Sequence, residues 1–357
     1  MFDPLETIKP RVRALRAYTL APDRATIKIN QNENPWDAPA RIKEESLRRL
    51  QSREWSRYPD FVPASLHQHL AQFANWRTDG VLAGNGSNEL IQALLMVTVG
   101  EGKRVLISEP TFALYRQVTT VLGGEVVSVP LAPQLTYDAA AIRQAIAAHQ
   151  PHVIILCSPN NPTGCRLDDD DLVEILKATP GVVAIDEAYF EFAEHSVVPL
   201  LAEHANLVVL RTFSKAMAMA AVRVGYLLGS PSLVREIGKA LLPYNLNAIS
   251  QTIAEVAIEM YEAELRPLVR RIGAERDRLF RSLGAIKGLD PVPTAANFMV
   301  VRVARDPKHV FAELLQRDIL VRDVSHYPML ENCLRISVGK PHENDLLIDA
   351  LRDVFHE

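Results

Sequence analysis

Between residues 104 and 229 the chain alternates short β-rich runs with longer stretches of helical periodicity, and this alternation limits the fold more than any other feature of the sequence. Candidate strands fall at 104–108, 125–130, 152–158, 182–186, 207–213 and 224–229. Between them, 138–149 and 168–177 open on acidic residues, as helix N-termini prefer, and carry apolar residues three and four apart. Strand–helix–strand repeats of this kind build an α/β fold, with a mainly parallel sheet covered by helices on both faces.

The texture changes near Asn247. A long helical stretch runs to Leu283, with Pro267 as an expected kink. Strands are expected at 297–303, 319–324 and 334–338, and helices at 307–316 and 341–355, which makes a smaller α+β domain. The first thirty or so residues lack strong periodicity and contain Pro4, Pro10 and Pro22, so they read as an arm. The expected division is an arm at 1–33, a large domain at 34–246 and a small one at 247–357, linked by a helix at about 250–283.

Composition narrows the partners. With 48% hydrophobic residues, a net charge of -4 and no basic run, the chain has material for a core and no footprint for nucleic acid or a membrane surface. Cys157, Cys165 and Cys333 form neither a C-x-x-C pair nor an even set, which suits a reducing compartment. The opening Met1-Phe-Asp-Pro-Leu-Glu lacks a basic segment followed by an apolar one, so a cytoplasmic location is expected. No metal is expected: His67 and His69, two apart, point to different sides of a helix.

Against this background a group of residues stands out: Thr212-Phe-Ser-Lys-Ala-Met-Ala-Met-Ala-Ala-Val-Arg223, with Ser158-Pro-Asn-Asn-Pro-Thr-Gly164 and Asp186-Glu-Ala-Tyr189 upstream. Pyridoxal phosphate needs a lysine for a Schiff base, an acid partner for its ring nitrogen, a phosphate cradle, donors to its phenolic oxygen and a side chain against its ring. Lys215 follows a candidate strand among small residues and can serve as both Schiff-base lysine and proton carrier. Asp186 ends the run Val182-Val-Ala-Ile, at the carboxyl end of a strand, where open α/β sheets bind ligands. A helix N-cap is the plainer role for that aspartate. Asn161 and Tyr189 are candidate donors to the phenolic oxygen, although Asn-Pro-Thr-Gly is also an ordinary turn sequence.

Gly84-Asn-Gly-Ser-Asn-Glu89 precedes the helical run 90–97, which offers backbone N–H groups and a positive helix end to a phosphate. Glutamate in place of the third glycine rules out the dinucleotide fingerprint. Ser214 and Arg223 can complete the cradle, and Phe112 can lie against the ring, though an aromatic after a strand is more often core.

Taken together these segments resemble the fold-type I pyridoxal-phosphate-dependent aminotransferases, and more narrowly the histidinol-phosphate aminotransferase family, through nearly the whole chain. The narrower resemblance rests on Val12-Arg-Ala-Leu-Arg-Ala-Tyr18, Asn30-Gln-Asn-Glu-Asn-Pro35, Arg57-Tyr-Pro59, Pro243-Tyr-Asn-Leu-Asn247, Val321-Arg-Asp323 and Cys333-Leu-Arg-Ile-Ser-Val-Gly339. It implies that Lys215 is the Schiff-base lysine, Asp186 the pyridinium partner, and Asn161 and Tyr189 the phenolic-oxygen donors. Ser87, Asn88, Ser214 and Arg223 would bind the phosphate, with Tyr58 reaching over from the second subunit of a homodimer. Arg335, assisted by Arg322 and Tyr18, would take the anionic end of the substrate, where a planar guanidinium matches phosphate and carboxylate alike. Ala221 departs from the pattern, standing where these proteins commonly have glycine.

The implied reaction interconverts L-histidinol phosphate and 2-oxoglutarate with imidazole acetol phosphate and L-glutamate, a step of histidine biosynthesis. An aromatic amino acid aminotransferase or a threonine-phosphate decarboxylase shares the cofactor motifs. A non-catalytic regulator would need a DNA-reading module for which no basic helix is evident.

Overall fold

The computed structural model describes residues 3–16 and 23–355. Its centre is a seven-stranded sheet in the order β2-β8-β7-β6-β5-β3-β4, formed by Val81–Gly84 (β2), Arg104–Glu109 (β3), Glu125–Pro130 (β4), Val153–Cys157 (β5), Val182–Asp186 (β6), Leu207–Thr212 (β7) and Gly225–Gly229 (β8). Five neighbours, β7 through β4, run parallel, while β8 is antiparallel to both β7 and β2. The mainly parallel α/β sheet expected from the alternation is therefore present. It gains a strand the sequence hid, β2, and β8 runs opposite to its neighbours.

Both faces of the sheet are buried, which is why its central strands read as unbroken apolar runs. Ile154 and Leu156 of β5, Val183 and Ile185 of β6, and Leu207 and Val209 of β7 enter one core, with Ile142, Leu172 and Ile175 from the overlying helices. The alternate residues Val153, Ile155, Ala184, Val208 and Leu210 enter the other, with Leu90, Leu94 and Ile272. The helices that supply these contacts begin where their sequences provide an N-terminus. Asp138 caps Ala139–His149 by accepting from the Ala141 N–H, and Asn247 caps Ala248–Glu259 by accepting from the Ser250 N–H.

A second, antiparallel sheet has the order β12-β13-β10-β9, from Leu289–Pro291 (β9), Phe298–Val303 (β10), Arg322–Asp323 (β12) and Cys333–Ser337 (β13). It packs on Pro307–Gln316 and Pro341–Phe355 through Met299, Val301, Val310, Leu334, Leu347 and Leu351. Two expectations change here. The run 319–324 is two short strands: Ile319–Leu320 (β11) pairs in parallel with Ile27–Lys28 (β1), and Arg322–Asp323 pairs with β13. The arm accordingly holds a strand, and the Ser337 N–H donates to the Ile29 carbonyl just beyond it.

The long helical stretch is also broken, but not by a kink at Pro267. Ala248–Glu259 passes through a π-helical turn at Tyr261–Leu265 into Arg266–Gly284. Proline is tolerated in the first turn of a helix, so Pro267 helps start the second segment. No helix among the described residues is long and apolar enough to cross a membrane.

The two histidines of Ala64–Ala74 divide as their spacing implies. His69 lies near Glu259 at the surface, whereas His67 is buried and its Nε2 has no hydrogen-bond partner. Burial pushes the His67 imidazole down to about 4 from 6.5. The unfolded chain thus binds the proton more readily between these values, so stability is full above about pH 6.5 and falls as pH drops towards 4, by up to about 3 kcal/mol. Urea unfolding of the wild type at pH 7 and pH 4.5 is expected to show this loss, and His67→Leu to show less of it. Equal acid sensitivity in the two proteins would assign the effect elsewhere.

Candidate active site

A cavity of about 520 Å³ opens at the carboxyl ends of β5, β6 and β7, bounded by Cys157, Asp186 and Thr212 at the strand ends and by Arg322 and Arg335 of the second sheet. Its position follows from topology, because parallel strands leave their ends and the following loops on one edge, close to where the strand order reverses beside β3. Of the residues singled out in the sequence, Ser87, Asn88, Phe112, Asn161, Asp186, Tyr189, Ser214, Lys215, Arg223, Arg322 and Arg335 all line it. Tyr58 does not: it is 80% exposed and stacks on Tyr244, with ring centroids 4.6 Å apart. Tyr18 lies outside the described residues.

Asp186 is the last residue of β6 and is nearly fully buried. Its Oδ1 accepts from the Ala188 N–H at 3.1 Å and its Oδ2 from the Tyr115 hydroxyl at 2.6 Å. It does not cap a helix, for the short helix Phe190–Ala193 starts after Tyr189. Burial pushes the carboxyl up to about 6, against the donations from Tyr115 and Ala188 and the charge of Lys215. The next residue, Glu187, faces away into a buried pair with Arg211, Oε2 accepting from Nε at 2.9 Å.

Lys215 enters from the loop after β7. Its ammonium donates to the Gln31 carbonyl at 2.8 Å and lies 6.0 Å from the centre of the Tyr189 ring. Burial, followed by the nearby Arg335 guanidinium, pulls the amine down to about 8. The Tyr189 hydroxyl is buried, accepts from Asn32 Nδ2 at 3.1 Å and has its acidity suppressed chiefly by that burial. Asn161 presents its Oδ1 to Arg335 Nη1 at 2.6 Å, and Arg335 Nη2 donates to the Asn30 carbonyl at 2.6 Å.

Two features show which kind of ligand the cavity is built for. At one end the helix Ser87–Thr98 begins at the cavity wall, and Arg223, itself in the left-handed backbone region at φ 58°, donates to Ser214 Oγ at 3.2 Å. The Arg223 guanidinium packs so close to Gly86 that an added Cβ there would lie 2.6 Å from Nη2. Gly225 lets β8 approach in the same way, since a Cβ would lie 2.3 Å from the Ser87 nitrogen. A cation held at the positive end of a helix is unfavourable unless an anion joins them. At the other end Arg322 and Arg335 are direct cross-strand neighbours, a like-charge pairing that destabilises a bare sheet. The cavity therefore has two places for anions, with an amine and a carboxylate between them.

These residues fit pyridoxal phosphate. The N-terminus of Ser87–Thr98 with Ser214 and Arg223 suits its phosphate, Asp186 its ring nitrogen, and Lys215 its aldehyde. Phe112, edge-on to Tyr115 with centroids 5.6 Å apart, offers an apolar wall. The glutamate that breaks the dinucleotide fingerprint has a role as well. Glu89 Oε2 accepts from the Asn85 N–H at 2.7 Å and from Asn245 Nδ2 at 2.8 Å, tying the cradle loop to the Pro243–Asn247 segment. Ala221 sits in the 3₁₀ turn Ala220–Val222 without a positive φ, so no glycine is required there.

The sequence reading missed Tyr115 and the backbone of Asn30 and Gln31. Tyr115 carries a local signal, three residues after Phe112 in the first turn of the helix that follows β3, but its partner lies 71 residues away. The Asn30–Pro35 run stands out as a motif, yet nothing in it announces that its carbonyls would meet Arg335 and Lys215.

The chain is similar to known proteins over nearly its whole length. The model of the family "Aminotransferase class I and II" matches residues 24–351, and the chain belongs to that family. Among individual relatives it is 40% identical to a histidinol-phosphate aminotransferase of Chlorobium phaeobacteroides, across 98% of this chain and 97% of that protein. The corresponding protein of Chlorobium limicola is 36% identical across 99% of both. The crystal structure of histidinol-phosphate aminotransferase from Sinorhizobium meliloti in complex with pyridoxal-5'-phosphate superposes with a TM-score of 0.88 at 25% identity, over 98% of both chains. An L-threonine-O-3-phosphate decarboxylase from Porphyromonas gingivalis shares the fold, with a TM-score of 0.81 at 21% identity over 93% of this chain and 100% of that one.

The lowered Lys215 amine is open to measurement in cofactor-free protein. Competitive labelling with a small amine reagent, read by peptide mass spectrometry, is expected to give Lys215 a reactivity midpoint near 8, below the ordinary lysine value of 10.5. Because Arg335 is the main charge depressing it, Arg335→Gln should move the midpoint up. A Lys215 midpoint indistinguishable from surface lysines would contradict the site's electrostatics.

Proposed function

We propose that this chain catalyses the pyridoxal-phosphate-dependent transamination of L-histidinol phosphate with 2-oxoglutarate, giving imidazole acetol phosphate and L-glutamate, a step of histidine biosynthesis. The observation that carries the reading is the placement of Arg322 and Arg335 side by side in the wall of the cavity that holds Lys215 and Asp186. Relatives named for this activity, 36% and 40% identical over nearly the full chain, support it. The fold alone does not, since a decarboxylase has it too.

Pyridoxal phosphate, when bound, supplies an electron sink for the charge left at the substrate's Cα. The remaining work falls to side chains. Arg223, Ser214 and the N–H groups of Ser87 and Asn88 hold the phosphate. Asp186 keeps a proton on the ring nitrogen, Asn161 and Tyr189 donate to the phenolic oxygen, and Phe112 covers a ring face. Lys215, its amine lowered by burial and Arg335, would be the base that takes the proton from the substrate's Cα and carries it during the reaction. Arg335 binds the substrate's phosphate in one half-reaction and a carboxylate of glutamate in the other, exchanging its contacts with Asn161 and Asn30 for the incoming anion. Arg322 and Tyr18 assist it.

The same reading makes the protein a homodimer in which Tyr58 completes the phosphate site of the partner subunit. Trp55, Tyr58, Phe61 and Leu242, all largely exposed, supply an apolar surface for that contact. The division into an arm, a large cofactor-binding domain at 34–246 and a small domain at 247–357 belongs to this proposal, as does a cytoplasmic location, which suits three unpaired cysteines.

Steady-state kinetics test the assignments. Lys215→Ala is expected to lower kcat by about a thousandfold or more. Arg335→Ala should raise KM for histidinol phosphate about thirtyfold, the loss of about 2 kcal/mol of charged hydrogen bonding. Near-normal turnover by Lys215→Ala would overturn the mechanism, and an unchanged KM in Arg335→Ala would remove that arginine from substrate binding.

A further inference from the structure

Each oxygen of the Asp186 carboxylate has one donor, and the two donors differ in kind. The Ala188 N–H comes from the chain two residues on and follows from the turn itself. The Tyr115 hydroxyl comes from another part of the fold, the helix Leu114–Leu122 after β3, and makes the shorter bond at 2.6 Å. Tyr115 is fully buried, and its ring stands edge-on to Phe112, interplanar angle 88°. The nearby Cys157 thiol is engaged with the Pro159 carbonyl at 3.2 Å. The phenol donates to the carboxylate, with the Cys157 thiol beside it.

We propose that Tyr115 is a positioning residue for the reaction: its hydroxyl fixes the orientation and charge of the Asp186 carboxylate, and through it sets how firmly the cofactor's ring nitrogen holds its proton. This rests on the reading of the cavity as a pyridoxal-phosphate site. A carboxylate this deeply buried tends to take up a proton, and neighbouring Glu187 pushes it the same way. The Tyr115 bond is the largest influence opposing that tendency. A phenol suits the task because burial and Asp186 keep its own acidity suppressed, so it stays a neutral donor across the working pH range. A lysine or histidine there would instead put a charge of its own beside the carboxylate.

Tyr115→Phe removes the donor and keeps the ring. A proton on the cofactor's ring nitrogen draws electrons from the Lys215 nitrogen bound to the cofactor, so weakening the Asp186 charge makes that nitrogen keep its proton to higher pH. In cofactor-loaded protein the pH midpoint of the visible absorbance change is expected to rise by about half a unit or more. The dissociation constant for pyridoxal phosphate should rise about tenfold. In the Asp186→Asn background the same change should do neither. Replacing Tyr115 with 3-fluorotyrosine, which keeps shape and hydroxyl but donates more strongly, is expected to lower the midpoint and serves if the phenylalanine variant folds poorly. A lower melting temperature with unmoved midpoint and affinity would make Tyr115 a packing residue and overturn the proposal. Wild-type protein that gains no visible band with pyridoxal phosphate would overturn the cofactor reading itself, whereas a normal wild-type band with an unshifted variant overturns only the role of Tyr115.

Discussion

A carboxylate buried at the end of a central strand is the constraint around which the rest of this site is arranged. Asp186 sits where two apolar faces of a sheet meet the ligand cavity, and leaving it there uncompensated would cost several kcal/mol or neutralise it. The fold answers with an N–H from Ala188 and a hydroxyl from Tyr115, and sends the adjacent glutamate to the opposite side, into its own buried pair with Arg211. Those choices leave a charged group whose natural further partner is a cation in the cavity, which a protonated pyridine ring supplies.

The cationic side of the site is balanced differently. Lys215 and Arg335 donate to the Gln31 and Asn30 carbonyls, so the strand that pairs Ile27–Lys28 with Ile319–Leu320 leads directly into the polar wall of the cavity. Backbone carbonyls neutralise only part of a positive charge, and each is readily exchanged for an anionic ligand. Burial, and after it the charge of Arg335, brings Lys215 down to about 8, and the same Arg335 charge draws anions, which links proton transfer to substrate binding through one pair of residues. Asn32 joins the same wall to Tyr189 and to Ser337 of β13, so arm, first sheet and second sheet meet at one set of hydrogen bonds.

Much of this was legible in the sequence, for physical reasons particular to each part. Central strands buried on both faces produce unbroken apolar runs, and β3 through β7 were found within a residue or two. Strand direction leaves no such mark, so the antiparallel β8 could not be told from its neighbours, and the four-residue β2 was too short to register. Pro267 was read as a kink although a proline in a helix's first turn is easily accommodated, and the break fell on the π-helical turn before it. Lys215, Asp186, Tyr189 and Arg223 stood out because their chemistry is unusual beside small residues or strand ends. The contacts of Tyr115, Gln31 and Asn32 did not, since their partners are 71, 184 and 157 residues away and only the fold joins them. Tyr58 is a separate case, because the role it was given belongs to a second subunit.

The most direct test is the visible absorbance of cofactor-loaded protein as L-histidinol phosphate, L-phenylalanine or L-threonine phosphate is added singly, without a keto acid. Rapid conversion to the pyridoxamine form with histidinol phosphate is the expected result, since the relatives 36% and 40% identical over nearly the full chain are named for that substrate. Preferential conversion with phenylalanine, or release of carbon dioxide from threonine phosphate, would contradict it.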